Sequence, residues 1–198
     1  MIISIGGYMG SGKSTVAKML AEKLGWPRYY IGGLRREKAR ERGLTLAEYN
    51  RLGETDPATD FEVDEYQKKL GETEDNFIIE GRTSWHFIPH SLKIYLDVDK
   101  KIAAKRIFHD LQKSVDRNEA RKFDTEEAVL ANILEREKSD RARYQKYYQY
   151  DVYDPSHYDF VLNTTNLTIE EAFEKIFEFI KPKLVPVDPV RQNKNLKK

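Results

Sequence analysis

The first apolar positions of the chain, Ile2, Ile3 and Ile5, lack the polar alternation of a half-exposed strand, so they predict a short strand buried on both faces. The period then changes. Val16, Leu20 and Leu24, with Ala17 and Ala21, recur at helical spacing, and Gly25 with Pro27 ends that helix. "REKARERG" predicts a charged helix, Thr45-x-x-Glu48 a capping box opening another, and "FEVDEYQKKL" a further one. "NFIIEG" and "LKIYLDV" predict the next two strands, and "DKKIAAKRI" a helix after the second. Asp124 with Glu127 is expected to cap a long helix running to about Tyr148. "YDFVLNT" predicts a last strand, and Thr168-x-x-Glu171 caps a final helix ending near Pro182. Strands that alternate with helices imply an α/β fold, a parallel sheet covered on both faces with right-handed crossovers.

A chain of 198 residues suits one such domain, expected over residues 1–182. The remainder, 183–198, is rich in lysine and broken by Pro186 and Pro189, which predicts a mobile basic tail. Apolar residues at 39% and aromatics at 12% are enough for a core. The 34 basic and 33 acidic side chains leave a formal charge of +1, so no global field recruits nucleic acid or a membrane. Any anion site must be built locally. The chain has no cysteine, which excludes disulfides, thiolate metal sites and thiol nucleophiles. Its first apolar run is too short for a signal peptide and nothing approaches a membrane span, so a cytoplasmic monomer is expected.

Between the first strand and the first helix lies Gly7-x-x-x-x-Gly12-Lys13-Ser14. This is the phosphate-loop pattern in the context it requires. Glycines let successive backbone N–H groups turn inward around a polyphosphate, and the helix N-terminus adds partial positive charge. Gly7, Tyr8, Met9, Gly10, Ser11, Gly12, Lys13, Ser14 and Thr15 are therefore the expected ATP-binding residues. Lys13 would bridge the β- and γ-phosphates and Ser14 would ligate Mg²⁺. The plainer alternative is a glycine-rich turn that only fits helix to sheet.

A second anion site would distinguish a small kinase from a switch protein or a motor. Arg82 follows an apolar strand in "IIEGR", which puts it at the carboxyl edge of the sheet, where open α/β sheets bind ligands. Glu80 just before it is placed to hold a Mg²⁺-bound water. Arg136, Asp140 and Arg143 share one helical face by their spacings of four and three. A surface salt bridge for Arg82, a paired carboxylate for Glu80 and a solvated, self-paired stripe for the other three are the alternatives.

These segments resemble the archaeal-type cytidylate kinases, in "REKARERGLTLAEYNRLGETDPATDFEVDEYQ", "EGRTSW", "RE-x-SD-x-x-RY-x-x-Y" and "YDFVLNT". The resemblance covers residues 1 to about 180. It implies a three-layer P-loop NTPase fold with a five-stranded parallel sheet, an NMP-binding region at about 33–71 and a lid at about 110–123. It also implies transfer of the ATP γ-phosphoryl group to CMP or dCMP. Arg36 matches an arginine that contacts the acceptor phosphate, Arg82 would share that phosphate, and Arg136 and Arg143 match two further acceptor-site arginines. Asp140 matches a carboxylate that reads the sugar. Asp56, Asp60 and Asp64 match the family's E-x-D-P-x-x-D pattern, as pyrimidine contacts or as helix caps. On this view Lys13, Arg82, Arg136 and Arg143 form the catalytic set.

The chain also departs from the pattern. Arg35 stands where the family has an aromatic residue, Tyr30 where it has a small hydroxyl, and His109 where a lid arginine is common. His90 lies near a position that carries a carboxylate in the bacterial enzymes; both histidines read more readily as surface residues than as catalysts. Arg106, Arg117 and Arg121 are candidate lid arginines. Another P-loop kinase, for shikimate or a different nucleotide, is the nearest alternative reading. A nucleotide-dependent switch is the more distant one.

Overall fold

The computed structural model describes residues 1–113 and 123–184. Its centre is β1 (Ile2–Gly7), buried along its whole length between β3 (Phe77–Glu80) and β4 (Leu92–Asp97). All five strands are parallel in the order β2-β3-β1-β4-β5, with β2 at Arg28–Tyr30 and β5 at Phe160–Asn163. After β1 the chain goes to the edge strand β2, comes back inward with β3 beside β1, and then crosses to β1's other side with β4. That reversal places the ligand crevice beyond the carboxyl ends of β1, β3 and β4.

Helix α1 (Lys13–Leu24) packs Val16, Ala17 and Leu20 onto the sheet beside α8 (Ile169–Ile180), which contributes Ala172 and Ile176. Gly25 at φ 67° caps α1 in the left-handed conformation that the sequence anticipates. The capping boxes at Thr45 and Thr168 both form. On the other face, α6 (Lys100–Lys113) and α7 (Glu126–Tyr148) enclose a second cluster with Ala103, Ile107, Val129 and Ile133. Thr125, and not Asp124, caps α7. Its hydroxyl accepts from the Ala128 N–H at 3.2 Å, which a residue one position earlier cannot reach.

Three further helices, α2 (Ile31–Glu41), α3 (Leu46–Gly53) and α4 (Ala58–Thr73), fill the region expected to hold the acceptor, and a short α5 (Ser84–Phe87) follows β3. Helix α2 starts five residues before "REKARERG" and includes Gly32 and Gly33, over which the Tyr30 ring lies. The expected lid residues Arg117 and Arg121, and the tail beyond Leu184, lie outside the described residues. Among the described residues no helix is long and apolar enough to cross a membrane.

Candidate active site

The phosphate loop leaves β1 at Gly7, whose φ of 122° is open to glycine alone; a Cβ there would run into the backbone of Leu96 on β4. Gly12 at φ 88° turns the chain into α1. Residues from Met9 to Thr15 line a cavity of about 390 Å³. Gly7 and Tyr8 do not line it. The first is packed against β4, and the second turns its side chain away to donate to Glu137 Oε2 at 2.6 Å. Lys13 donates through Nζ to the Tyr8 carbonyl of its own loop. Burial lowers the Lys13 ammonium most, Arg82 and Arg136 lower it further against the opposing charge of Glu80, and the net value is about 7. A depressed lysine among arginines marks a cavity that favours anions.

Arg36, Arg82 and Arg136 line the same cavity opposite the loop. Arg36 donates from Nη1 to the Tyr30 hydroxyl at 2.6 Å and to the Gly32 carbonyl at 3.0 Å. Its guanidinium lies 5.8 Å from the Tyr30 ring centroid, so the tyrosine holds the arginine by both edge and face. The Nε of Arg82 lies 3.0 Å from Asp140 Oδ2 and 3.2 Å from the Tyr153 hydroxyl, which donates to the same carboxylate oxygen at 2.8 Å.

Arg143, Asp140 and Asp56 take different places from those the resemblance implies, since none of the three lines the cavity. Arg143 is 1% exposed and gives Nη1 to both oxygens of Asp60 (2.6 and 2.8 Å) and Nη2 to Asp140. The helical stripe is therefore split: Arg136 faces the cavity while Asp140 and Arg143 lie one layer beneath it. Burial pushes the Asp140 carboxyl up, but Arg82, Arg143 and Arg136 outweigh it and hold the group at about 2. Asp56 lies one residue before the N-cap Pro57 and accepts from the Ala58 N–H at 3.0 Å, a helix-start role close to the cap alternative of the sequence reading.

Asp60 and Asp64 do reach the cavity wall. Asp64 Oδ1 accepts from Gln67 (2.8 Å) and Thr83 (3.0 Å), and Oδ2 from Tyr148 (2.7 Å). Burial raises this carboxyl most, the Tyr148 hydrogen bond opposes that and the charge of Asp60 adds to it, leaving it at about 7. Glu80 also lines the cavity, with its carboxylate held by Arg28 through Nε at 2.7 Å and through Nη2. Arg106 borders the loop side, donating to the carbonyls of Thr164, Thr165 and Leu167 after β5. His90 and His109 are exposed.

Several contributors have no local signal in the sequence. Arg28 is 52 positions from Glu80, Tyr8 is 129 from Glu137, and only the fold joins them. Arg35 carried one clue, a charge where an aromatic residue is usual. It is buried, with Nε on Asn50 (2.8 Å) and Nη1 on Asp60 (2.8 Å) and the Thr59 carbonyl (3.2 Å).

Known proteins resemble this arrangement at two levels. A shikimate kinase from Bacteroides thetaiotaomicron superposes with a TM-score of 0.61 at 15% identity, covering 91% of this chain and 98% of its own, which is a likeness of fold alone. Sequence relatives are nearer. A cytidylate kinase of Methanococcoides burtonii is 37% identical over 165 residues, 83% of this chain and 88% of its own. One from Methanopyrus kandleri is 35% identical over 200 residues, covering 96% and 97%. Residues 2–166 match the cytidylate kinase-like family as a whole, and with a phosphate loop facing an arginine cluster across one cavity, the chain belongs to that family.

Proposed function

We propose that this chain transfers the γ-phosphoryl group of ATP to CMP or dCMP, giving ADP and the corresponding diphosphate. The observation that carries the reading is the pair of cationic walls, Lys13 with the loop amides on one side and Arg36, Arg82 and Arg136 on the other. A hydrolase or switch needs the first wall and has no use for the second.

The loop amides and Lys13 hold the triphosphate. Arg36 and Arg82 hold the acceptor phosphate, whose oxygen attacks the γ-phosphorus in line as the bond to the ADP oxygen breaks. Phosphoryl transfer of this kind asks for positioning and charge neutralisation, with no side-chain nucleophile. Arg136 lies close enough to Lys13 to depress its ammonium, so it is placed to neutralise charge on the transferred group. Arg143 and Asp140 act by holding Arg82 and α4 in place, and Asp56 acts at the helix start.

The residues fit Mg²⁺ as the accompanying cation. The Ser14 hydroxyl is exposed at the cavity and the Glu80 carboxylate reaches its wall. Among the described residues no group of three or more acidic or histidine side chains is gathered to hold a metal, which suits an ion held largely by phosphate oxygens and water. When bound, it would neutralise phosphate charge. A coupled assay of ADP formation with CMP, dCMP, UMP, AMP and shikimate tests the proposal. Acceleration by the cytidine monophosphates is expected. ATP hydrolysis that ignores every acceptor, or a preference for shikimate, would refute it.

A further inference from the structure

The same cavity is also lined by Arg35, Asp60, Val63, Asp64 and Tyr144, and Asp60 draws part of this set together, with Arg35 at 2.8 Å and the Tyr144 hydroxyl at 3.4 Å. Arg35 is held there with unusual completeness. Three hydrogen bonds, to Asn50, Thr59 and Asp60, fix two of its three guanidinium nitrogens, and the Tyr49 ring lies 5.0 Å from the guanidinium carbon. The remaining nitrogen, Nη2, is buried and has no hydrogen-bond partner, although the side chain is only 9% exposed and borders the cavity. A buried donor left unpaired is costly, because it has given up water and gained no partner. A donor so fixed is pre-organised for an acceptor on a ligand.

The surroundings decide what kind of acceptor that is. Asp60 and Asp64 both line this part of the cavity, and Asp60 is ion-paired with both Arg35 and Arg143. Arg35 already has a carboxylate partner in Asp60 and keeps one unpaired donor, so this part of the wall offers single hydrogen bonds and no uncompensated positive charge for the charged part of a nucleotide. It suits a flat, neutral ring that offers an acceptor toward Arg35 and a donor toward Asp64. Asp64 Oδ2 accepts one hydrogen bond, from Tyr148, and has room for a second. A 4-aminopyrimidine has that edge, with ring N3 accepting and the exocyclic amine donating. A 4-oxopyrimidine presents N3–H to the guanidinium, donor against donor.

We propose that Arg35 is a specificity residue that donates through Nη2 to N3 of the acceptor base, with Asp64 accepting from the neighbouring amine, so that cytosine is admitted and uracil refused. This deepens the acceptor assignment above and rests on it. Arg36, Arg82 and Arg136 serve the phosphate, and Arg35 adjoins Arg36 in the chain while serving the base.

The test compares CMP, UMP and 3-deazacytidine monophosphate, in which N3 is replaced by C–H, on the wild-type enzyme and on Arg35→Met. A hydrogen bond to a charged group supports a 10- to 100-fold effect, so wild type should use the deaza analogue about that much less well than CMP in kcat/KM. Arg35→Met should lose CMP efficiency by a similar factor and treat CMP and the analogue alike, within about threefold of each other. A merely structural arginine would lower both substrates together and leave their ratio unchanged. Asp60 keeps Arg143 in the variant, and a thermal melt reports whether it folds; where it does not, Arg35→Lys, which keeps a cation for Asp60 and lacks Nη2, takes its place, with the same loss of discrimination expected. Equal use of CMP and the deaza analogue by wild type overturns the proposal, as does a discrimination that survives Arg35→Met. Failure of CMP itself as acceptor would overturn the proposed function as well, and the two failures are told apart by the CMP arm.

Discussion

Arg143 separates two accounts of the same residue, as a contact to the acceptor phosphate or as a buried tie. The substitution Arg143→Met keeps most of the volume and removes the charge. In the structure it leaves Asp60 with Arg35 at 2.8 Å and Asp140 with Arg82 at 3.0 Å, so each buried carboxylate keeps one cation. Breaking a buried pair costs about 3–5 kcal/mol, and with one partner retained on each side the lower end, about 3 kcal/mol, is expected. For a chain of this size that corresponds to a fall in Tm of about 6–12 °C. Kinetics measured well below the transition should show an acceptor KM within about threefold of wild type. Loss of a direct charge-assisted contact to phosphate would instead raise it about tenfold or more. Thermal unfolding followed by circular dichroism, with the coupled assay on the same samples, makes the comparison. A Tm within 2 °C of wild type together with a tenfold rise in KM would refute the tie and restore the contact.

Lys13→Met should lower kcat about 10²–10³-fold, the range for removal of one transition-state donor, and leave the Tm nearly unchanged. Lys13 should also make ATP binding take up protons near pH 8. Its ammonium is held at about 7 in the free protein, and a polyphosphate raises it. Calorimetry in buffers of different ionisation enthalpy reads that uptake, and its absence would count against the depressed lysine. Asp64 binds its proton more tightly in the folded chain, at about 7 against an ordinary 3.8, so its ionisation opposes folding. Stability should therefore fall from about pH 4 to pH 7 by an amount that Asp64→Asn removes, as read from denaturant midpoints across that range. Asp140 works in the opposite sense. Its contribution is complete above pH 4 and is lost as pH falls through its folded value of about 2, which Asp140→Asn should abolish from the acid limb.

The strand-to-helix alternation and the phosphate loop were legible because their signals are local. Ile2, Ile3 and Ile5 lie within one strand, and Gly7 to Ser14 within one turn. Strand β2 escaped because three residues, Arg28, Tyr29 and Tyr30, are too few to show a period and none is fully buried. Periodicity placed Arg136, Asp140 and Arg143 on one face of α7, correctly, but a face has depth. Which part meets the cavity and which meets α4 depends on Asp60, 83 positions away in the chain from Arg143. Asp56 shows the same limit on a smaller scale, since only the start of α4 at Ala58 gives its side chain a helix-start role. The stretch of cavity wall around Arg35 and Asp64 was the least legible part. Arg35 and Asp64 acquire meaning there only from the groups they face.

The bond from Tyr8 to Glu137 has a consequence for how the two halves of the site are kept in register. Glu137 also receives Lys100 at 2.7 Å and Arg141 at 3.0 Å, and it neighbours Arg136 on α7. One carboxylate thus rivets the donor loop, the start of α6 and the helix that carries Arg136. A shift of that helix drags the loop along, so the separation between the donor's terminal phosphate and Arg136 behaves as a fixed gauge. The α2–α4 side, which carries Arg35, Arg36 and Asp64, is fastened to the same helix by Arg143 on Asp60 and Tyr148 on Asp64. Both halves of the site are thus referenced to one helix, and a displacement of α7 is felt by the two together.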